Sequence, residues 1–232
     1  MPSVCLVNTT RIFGIEMTNK KNYLEIYDFF DDPDHVRNDA LNSNYFTWMD
    51  DPNTVFSGYR AEISNEKIVN ELIYKLQKIN SKKIKTFACN YHLNPKISMH
   101  GFPHTDSNDD NSFAGVIYLS KIIPIKECGT TLYEDLPENK IQNDYIPEYR
   151  SKLEIVYCTH INQENVIKKQ FSQECLNFKN NILKKIVSIE NCFNKLLCYP
   201  SNVMHSPDFY FGDSKQTSRL TIAYHGTLAD AI

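Results

Sequence analysis

The chain has 232 residues, of which 41% are hydrophobic, and it carries a formal net charge of -3. This length is enough for one domain with a sizeable core, and we expect residues 1–232 to form a single domain. Nucleic acid is not an expected partner, because phosphate binding depends on clustered Lys and Arg and a net charge of -3 indicates no basic surface. No apolar run approaches the ~18 residues that cross a bilayer, and the first ten residues do not resemble a signal peptide. We therefore expect a soluble, cytoplasmic protein without a membrane partner.

The N-terminal part, residues 1–85, predicts a supporting layer of one strand and two helices. An aromatic-rich run over 23–30 alternates at first and indicates a strand. Asp32 is a plausible N-cap for a short helix with Pro33 at its first position. A second helix is predicted over 65–79, with Ser64 as its cap and an apolar stripe that we expect to lie against the outer surface of a sheet.

From residue 86 onward the pattern changes to short strands separated by turn residues, which indicates a sandwich or a barrel. The regular spacing is interrupted between 137 and 190, where 165–186 predicts an inserted helical segment. This insertion is either a lid over the site or a packed side helix. The chain contains seven cysteines, an odd number with no Cys-x-x-Cys pair. We expect reduced thiols rather than a disulfide framework or a zinc ribbon.

The most informative residues are His104-Thr105-Asp106, with His205 much later in the chain. Two histidines and one carboxylate form the facial triad that holds Fe(II) and leaves positions open for a co-substrate and O2. In a strand, His104 and Asp106 would point to the same face. Arg219 and Thr221 stand in the same relation, and a guanidinium beside a hydroxyl suits a carboxylate. These residues predict a metal site and an anion pocket.

A zinc site made by His100 and His104 is the alternative, because histidines four residues apart share one face of a helix. Gly101 and Pro103 lie between them, and proline inside a helix removes a hydrogen bond and clashes with the preceding turn. The glutamate of a His-Glu-x-x-His motif is also missing. The sequence therefore favours iron over zinc.

The ordered set His-x-Asp, distal His and Arg-x-Thr resembles the Fe(II)- and 2-oxoglutarate-dependent dioxygenases, in particular their prolyl-hydroxylase-like branch. Three further segments match strands of that branch: FAGVIYLS at 113–120, CGTTLY at 128–133 and NKLLCYPS at 194–201, which leads to His205. Cys128 replaces the first glycine of the usual Gly-Gly pattern. The likeness covers roughly residues 91–225.

The resemblance implies a double-stranded β-helix, a jelly roll of two antiparallel sheets with flanking helices, whose core spans 86–232. It implies that His104, Asp106 and His205 bind Fe(II). Arg219 and Thr221 would bind the distal carboxylate of 2-oxoglutarate, and Tyr118 and Tyr91 would add hydrogen bonds to the same co-substrate. The implied reaction consumes O2, releases succinate and CO2, and hydroxylates an unactivated C–H bond.

Asp106 favours hydroxylation over halogenation, since halogenating relatives have a small residue at that position. Desaturation and ring formation stay open. His225 would fall on the Arg219 face if that strand is regular, where it would either line the pocket or be a hydrogen-bonded core residue near the sheet edge. The expected substrate is a small molecule or a peptide-like group. A non-catalytic, cupin-like metabolite-binding module is the alternative function, but such a module has no reason to retain all three metal ligands and the Arg-x-Thr pair.

Overall fold

The computed structural model describes residues 23–47, 58–96, 101, 103–125, 127–134, 180–181 and 183–229. The interrupted region predicted over 137–190 lies largely outside these residues, so the choice between a lid and a side helix stays a prediction. No helix in the described ranges is long and apolar enough to cross a membrane.

Two helices and ten strands are formed by the described residues. In chain order they are β1 (Leu24–Ile26), α1 (Pro33–Asn42), β2 (Phe46–Thr47), β3 (Tyr59–Glu62), α2 (Glu66–Asn80), β4 (Ile84–Asn94), β5 (Ser112–Tyr118), β6 (Thr130–Tyr133), β7 (Lys185–Ile189), β8 (Leu196–Pro200), β9 (His205–Pro207) and β10 (Arg219–Leu228).

The strands form two antiparallel sheets. The larger has seven strands in the order β1-β8-β5-β10-β4-β3-β2, and the smaller has three in the order β7-β6-β9. One face of the large sheet is buried beneath the helices, and the other faces the small sheet across an apolar layer that includes Leu132, Leu197 and Tyr199. The predicted double-stranded β-helix with flanking helices is confirmed.

The two helices cover the outer face of the large sheet, as predicted. Asp32 caps α1 by accepting a hydrogen bond from the His35 backbone N–H, with Pro33 at the first position. Helix α2 is capped by Asn65, one residue later than the predicted Ser64. The helix ends leave backbone N–H groups without partners inside the helix, and these side chains accept from them. Ile68, Leu72 and Leu76 of the apolar stripe of α2 are buried in the core that the helix shares with β4 and β10, and the other residues of the stripe are partly buried.

Two predicted elements need correction. The strand expected over 23–30 ends at Ile26, because Asp28 adopts a positive φ of 52° and turns the chain. The helical segment expected over 165–186 is too long, since its last two residues belong to strand β7, which pairs with β6. The β-branched residues of that strand suit a sheet, and pairing with β6 overrides the local helical pattern. Residues 165–179 lie outside the described residues.

Candidate metal centre and anion pocket

The two predicted metal-binding histidines lie directly opposite each other on adjacent chain segments. His104 and His205 exchange two backbone hydrogen bonds, each 2.9 Å long. Residues paired in this way project their side chains from the same face, and the two imidazole centroids are 4.3 Å apart. A single backbone bridge thus brings together histidines that are far apart in the sequence.

Asp106 completes the cluster through a separate backbone contact. Its N–H donates to the carbonyl of Ser201 over 2.9 Å. One carboxylate oxygen lies 3.5 Å from His104 Nε2, and the other lies 3.5 Å from His205 Nε2. The three potential ligand atoms are all within 4.8 Å of one another. The predicted strand through His104 and Asp106 is wrong, because only His104 forms a bridge and Asp106 lies in a bend.

The electrostatics of the cluster favour an ionised Asp106 carboxylate and a neutral His205 imidazole. Burial alone raises the pKa of Asp106, but the charge of His205 and the hydrogen bond and charge of His104 lower it to about 2. Burial, aided by the charge of His104, lowers the pKa of His205 to about 4 despite the opposing effect of Asp106. Metal ions bind neutral imidazole and ionised carboxylate, so Asp106 and His205 are in a ligating state at neutral pH.

A neighbouring carbonyl orients the His205 ring. Nδ1 of His205 lies 3.0 Å from the carbonyl oxygen of Val203. Because a carbonyl oxygen only accepts hydrogen bonds, the proton of the neutral ring is on Nδ1. This tautomer leaves Nε2, the atom that faces Asp106, with a lone pair for a metal. The ring of Tyr199 packs at 4.6 Å from the His205 ring and limits its rotation. The donor set and its orientation fit a divalent metal such as Fe(II).

The predicted anion pocket lies on the same inner face of the large sheet. Arg219 and Thr221 project from β10 and are 2% and 0% exposed. Among the described residues, Arg219 Nε and Thr221 Oγ1 have no hydrogen-bond partner, and Nη2 of Arg219 donates a long bond of 3.5 Å to the Gly129 carbonyl. Buried polar atoms without partners are costly, and a carboxylate would satisfy both of these. No carboxylate of the described residues forms an ion pair with Arg219.

The two tyrosines predicted to bind the co-substrate lie on opposite faces of the sheet. Tyr118 is fully buried on the inner face, 5.8 Å from the Arg219 guanidinium, and its hydroxyl donates to Thr130 over 2.8 Å. Tyr91 belongs to the core beneath the helices, and its hydroxyl donates to Asp39 over 2.8 Å. This placement corrects the expectation for Tyr91: successive residues of a strand alternate in direction, and Tyr91 pairs with Ile222 rather than with Thr221.

Comparison with known proteins gives a family and a fold. The family described as "Family of unknown function (DUF6445)" matches residues 10–225. The chain belongs to this family. A comparison with curated proteins finds no match.

Three solved structures share the fold at low sequence identity. The epimerase SnoN from nogalamycin biosynthesis, described as non-heme and alpha-ketoglutarate-dependent, has a TM-score of 0.53 at 10% identity, over 89% of this chain and 78% of its own. HygX from Streptomyces hygroscopicus, with nickel and 2-oxoglutarate bound, has a TM-score of 0.52 at 11% identity, over 89% and 82%. A prolyl hydroxylase from Trichoplax adhaerens has a TM-score of 0.50 at 14% identity, over 90% and 84%. The chain therefore has the fold of these oxygenases.

The inner face also carries a histidine that sequence reasoning missed. His92 on β4 pairs with Thr221 on β10. It lies on the inner face, where Tyr91 had been expected to lie. Burial lowers the pKa of His92 well below its ordinary value, and the neighbouring guanidiniums and His104 lower it further. His225 lies on the same face, as predicted, and its charge contributes to lowering the pKa of Asp106. The alternation of β4 could have revealed His92, but only once its pairing with β10 was known.

Proposed function

We propose that this protein is a Fe(II)- and 2-oxoglutarate-dependent oxygenase that hydroxylates an unactivated C–H bond. The observation that carries the proposal is the conjunction of two sites on one inner face. One is the His104, Asp106 and His205 cluster, whose ligand atoms lie within 4.8 Å of one another. The other is the pair of buried donors on Arg219 and Thr221, for which the described part of the chain supplies no partner. A site that held only a metal or only an anion would need one of these but not both.

Each side chain has a separate task in this function. His104, Asp106 and His205 would hold the iron, and Arg219 with Thr221 would bind the distal carboxylate of 2-oxoglutarate. With O2 bound as well, iron and 2-oxoglutarate supply the oxidising chemistry, with release of succinate and CO2. Asp106 provides the anionic ligand and occupies a position that a halide would otherwise take, which favours hydroxylation.

The surroundings keep this arrangement fixed. The Val203 carbonyl holds the proton of His205 on Nδ1, and the bond from Tyr118 to Thr130 links the anion pocket to the small sheet. Such supporting contacts orient ligands and tune their basicity. The four described cysteines are all free thiols, which suits the cytoplasmic location that we propose, because a reducing compartment keeps iron ferrous.

We propose a small molecule or a peptide-like group as the substrate. Two structures with this fold illustrate both possibilities. The Trichoplax adhaerens prolyl hydroxylase is in complex with a peptide fragment. A second structure of SnoN, with a TM-score of 0.50 and 10% identity, is in complex with nogalamycin RO. The absence of a basic surplus in the sequence, whose net charge is -3, supports the same choice over nucleic acid.

The test is formation of the ternary chelate and its dependence on Asp106. Metal-free protein is mixed anaerobically with Fe(II) and 2-oxoglutarate, and the weak visible charge-transfer band is recorded. We expect the wild type to show the band and, in air, to release succinate with a pool of amino acids, peptides or cell extract. Asp106→Ala should bind iron more than about 100-fold more weakly, because even groups that only support ligands contribute about 10- to 100-fold.

Thr105→Ala is the matched control, since Thr105 lies between two ligands but is exposed, and it should keep the band. A folded wild-type protein without the band would refute the oxygenase proposal and favour the metabolite-binding module. Normal turnover by Asp106→Ala would refute the ligand assignment.

A further inference from the structure

Arg37 is a buried cation that has no part in the proposed function so far. It lies on helix α1, is 7% exposed and forms no ion pair within the described part of the chain. Its Nη1 donates to the Leu119 carbonyl over 2.7 Å, and its Nη2 donates to the Gln216 carbonyl over 2.8 Å. Burial lowers the pKa of Arg37, and the charge of Asp34 only partly opposes this effect. Because burying a charge is costly, a guanidinium at this place needs a reason, and the two carbonyls that it joins supply one.

The two carbonyls flank the start of β10, where Arg219 lies. Gln216 belongs to the turn that leads directly into this strand. Leu119 follows β5, and its backbone N–H donates to the Leu220 carbonyl over 2.9 Å. A planar guanidinium fork fixes the two acceptors that it bridges relative to each other. Arg37 therefore ties the segment before Arg219 to the segment beside it.

The start of β10 depends on this tie because it lies beyond the ladder with β5. The pairing of β10 with β5 begins at Thr221, whereas Arg219 and Leu220 pair only with β4. On the side of β5, the N–H of Leu220 donates instead to Ser120 Oγ over 2.9 Å. Ser120 directly follows the residue whose carbonyl Arg37 holds. The strand end that carries Arg219 is thus fixed through the segment that Arg37 anchors.

The Arg219 side chain is itself only weakly held. Within the described residues its guanidinium forms one hydrogen bond, the long contact of 3.5 Å to the Gly129 carbonyl, and it lies 5.8 Å from the Tyr118 ring. Its position therefore follows that of its backbone. A binding group must be held within about 0.5 Å of its productive geometry, so a shift of the strand end would spoil a bidentate pair between Arg219 and a carboxylate.

We propose that Arg37 is a positioning residue of the anion pocket: its two hydrogen bonds hold the start of β10 so that Arg219 meets the distal carboxylate of 2-oxoglutarate. This inference rests on the proposed function for the identity of the anion. Arg37 acts through the backbone and through Arg219. It therefore governs the preference for a 2-oxo acid with a second carboxylate, and it leaves the metal ligands unaffected.

The test compares two 2-oxo acids that differ in the second carboxylate. 2-Oxoglutarate and 2-oxobutyrate both chelate a metal through the keto oxygen and the adjacent carboxylate, but only 2-oxoglutarate has a distal carboxylate for Arg219. Anaerobic titration of each acid into the Fe(II)-loaded full chain, followed by the visible band, gives two affinities, and their ratio measures the selectivity for the second carboxylate. Thermal stabilisation of the metal-free chain by glutarate, which has two carboxylates and no keto group, measures the anion pocket without a metal.

The variants separate positioning from stability. Arg37→Met has no donor and should lower the selectivity by about tenfold or more, the range found for groups that orient metal ligands, with the affinity for 2-oxobutyrate unchanged. Arg37→Lys keeps the charge but not the planar fork. It should give an intermediate selectivity, and it decides the test if Arg37→Met does not fold. Leu72→Ala, which removes fully buried packing on helix α2, should also lower the Tm but keep the wild-type selectivity.

The outcomes distinguish this proposal from the oxygenase function. A normal visible band with wild-type selectivity in both Arg37 variants would overturn the positioning role and leave the oxygenase function standing. An equal loss of selectivity in Leu72→Ala would also overturn it, because lower stability alone would then explain the effect. Stabilisation of the wild type by glutarate that Arg37→Met loses, without a visible band in the wild type, would support the positioning role and refute the oxygenase function. The absence of both the band and the stabilisation would overturn both proposals.

Discussion

Replacing Thr221 with valine should make the ligand-free protein more stable. Thr221 is 0% exposed, and its hydroxyl has no hydrogen-bond partner in the residues that the structure describes. A buried, unsatisfied polar group costs about 1–3 kcal/mol, and valine replaces the hydroxyl with a methyl group while keeping the β-branch that suits a strand. In a chain of 232 residues, a gain of about 1–2 kcal/mol raises Tm by roughly 2–8 °C. Thermal unfolding without ligand measures this shift.

The same substitution should weaken binding of the co-substrate 2-oxoglutarate. If Thr221 donates to the distal carboxylate of 2-oxoglutarate, the variant loses a hydrogen bond to a charged group, which contributes about 1.5–3 kcal/mol. The expected loss of affinity is about tenfold to a hundredfold. Anaerobic titration of 2-oxoglutarate into the iron-loaded protein, followed by the visible band, measures it. Stability and affinity should therefore change in opposite directions.

Thr130→Val provides the matched control. Thr130 is 2% exposed, but its hydroxyl accepts the bond from Tyr118 over 2.8 Å. Removing that acceptor leaves the Tyr118 phenol buried without a partner, so this variant should lose about 1–3 kcal/mol of stability. A lower Tm for Thr221→Val, or an unchanged affinity for 2-oxoglutarate, would refute the assignment of Thr221 to the anion pocket.

Two further predictions concern Tyr91 and the metal-free cluster. Tyr91→Phe removes the hydrogen bond to Asp39 and should cost about 1 kcal/mol of unfolding free energy with no change in the KM for 2-oxoglutarate; a several-fold rise in that KM would return Tyr91 to the site. In the metal-free protein the pKa of His205 is about 4, below its ordinary 6.5, so the unfolded chain takes up a proton first. Stability is complete above pH 6.5 and falls on acidification towards pH 4, by roughly 2 kcal/mol at pH 5. Urea unfolding with a chelator at pH 7.5 and 5.0 measures this loss, which His205→Gln should reduce; an equal loss in the variant would contradict the reasoning.

Features that depend on short-range periodicity follow from the amino-acid sequence alone. The apolar stripe of α2 recurs at helical spacing, so the buried face of that helix follows from local geometry alone. Arg219 and Thr221 are two residues apart on one strand, and the alternation of a strand places them together. The segments over 113–120, 128–133 and 194–201 resemble strands of the oxygenase branch, and this resemblance predicted the jelly roll.

Features that depend on pairing between distant segments are set by the three-dimensional fold. His104 and Asp106 reach one site through backbone bonds to His205 and Ser201, and no periodicity of residues 104–106 encodes those partners. Tyr91 lies with Phe87, Cys89 and Leu93 on the apolar face of β4, whereas His92 lies on the opposite, mainly polar face. The alternation of β4 separates these two residues, but only the register with β10 places His92 opposite Thr221. Strand β7 likewise forms because β6 is available as a partner. Register is a relation between two strands, and one strand's residues do not contain it.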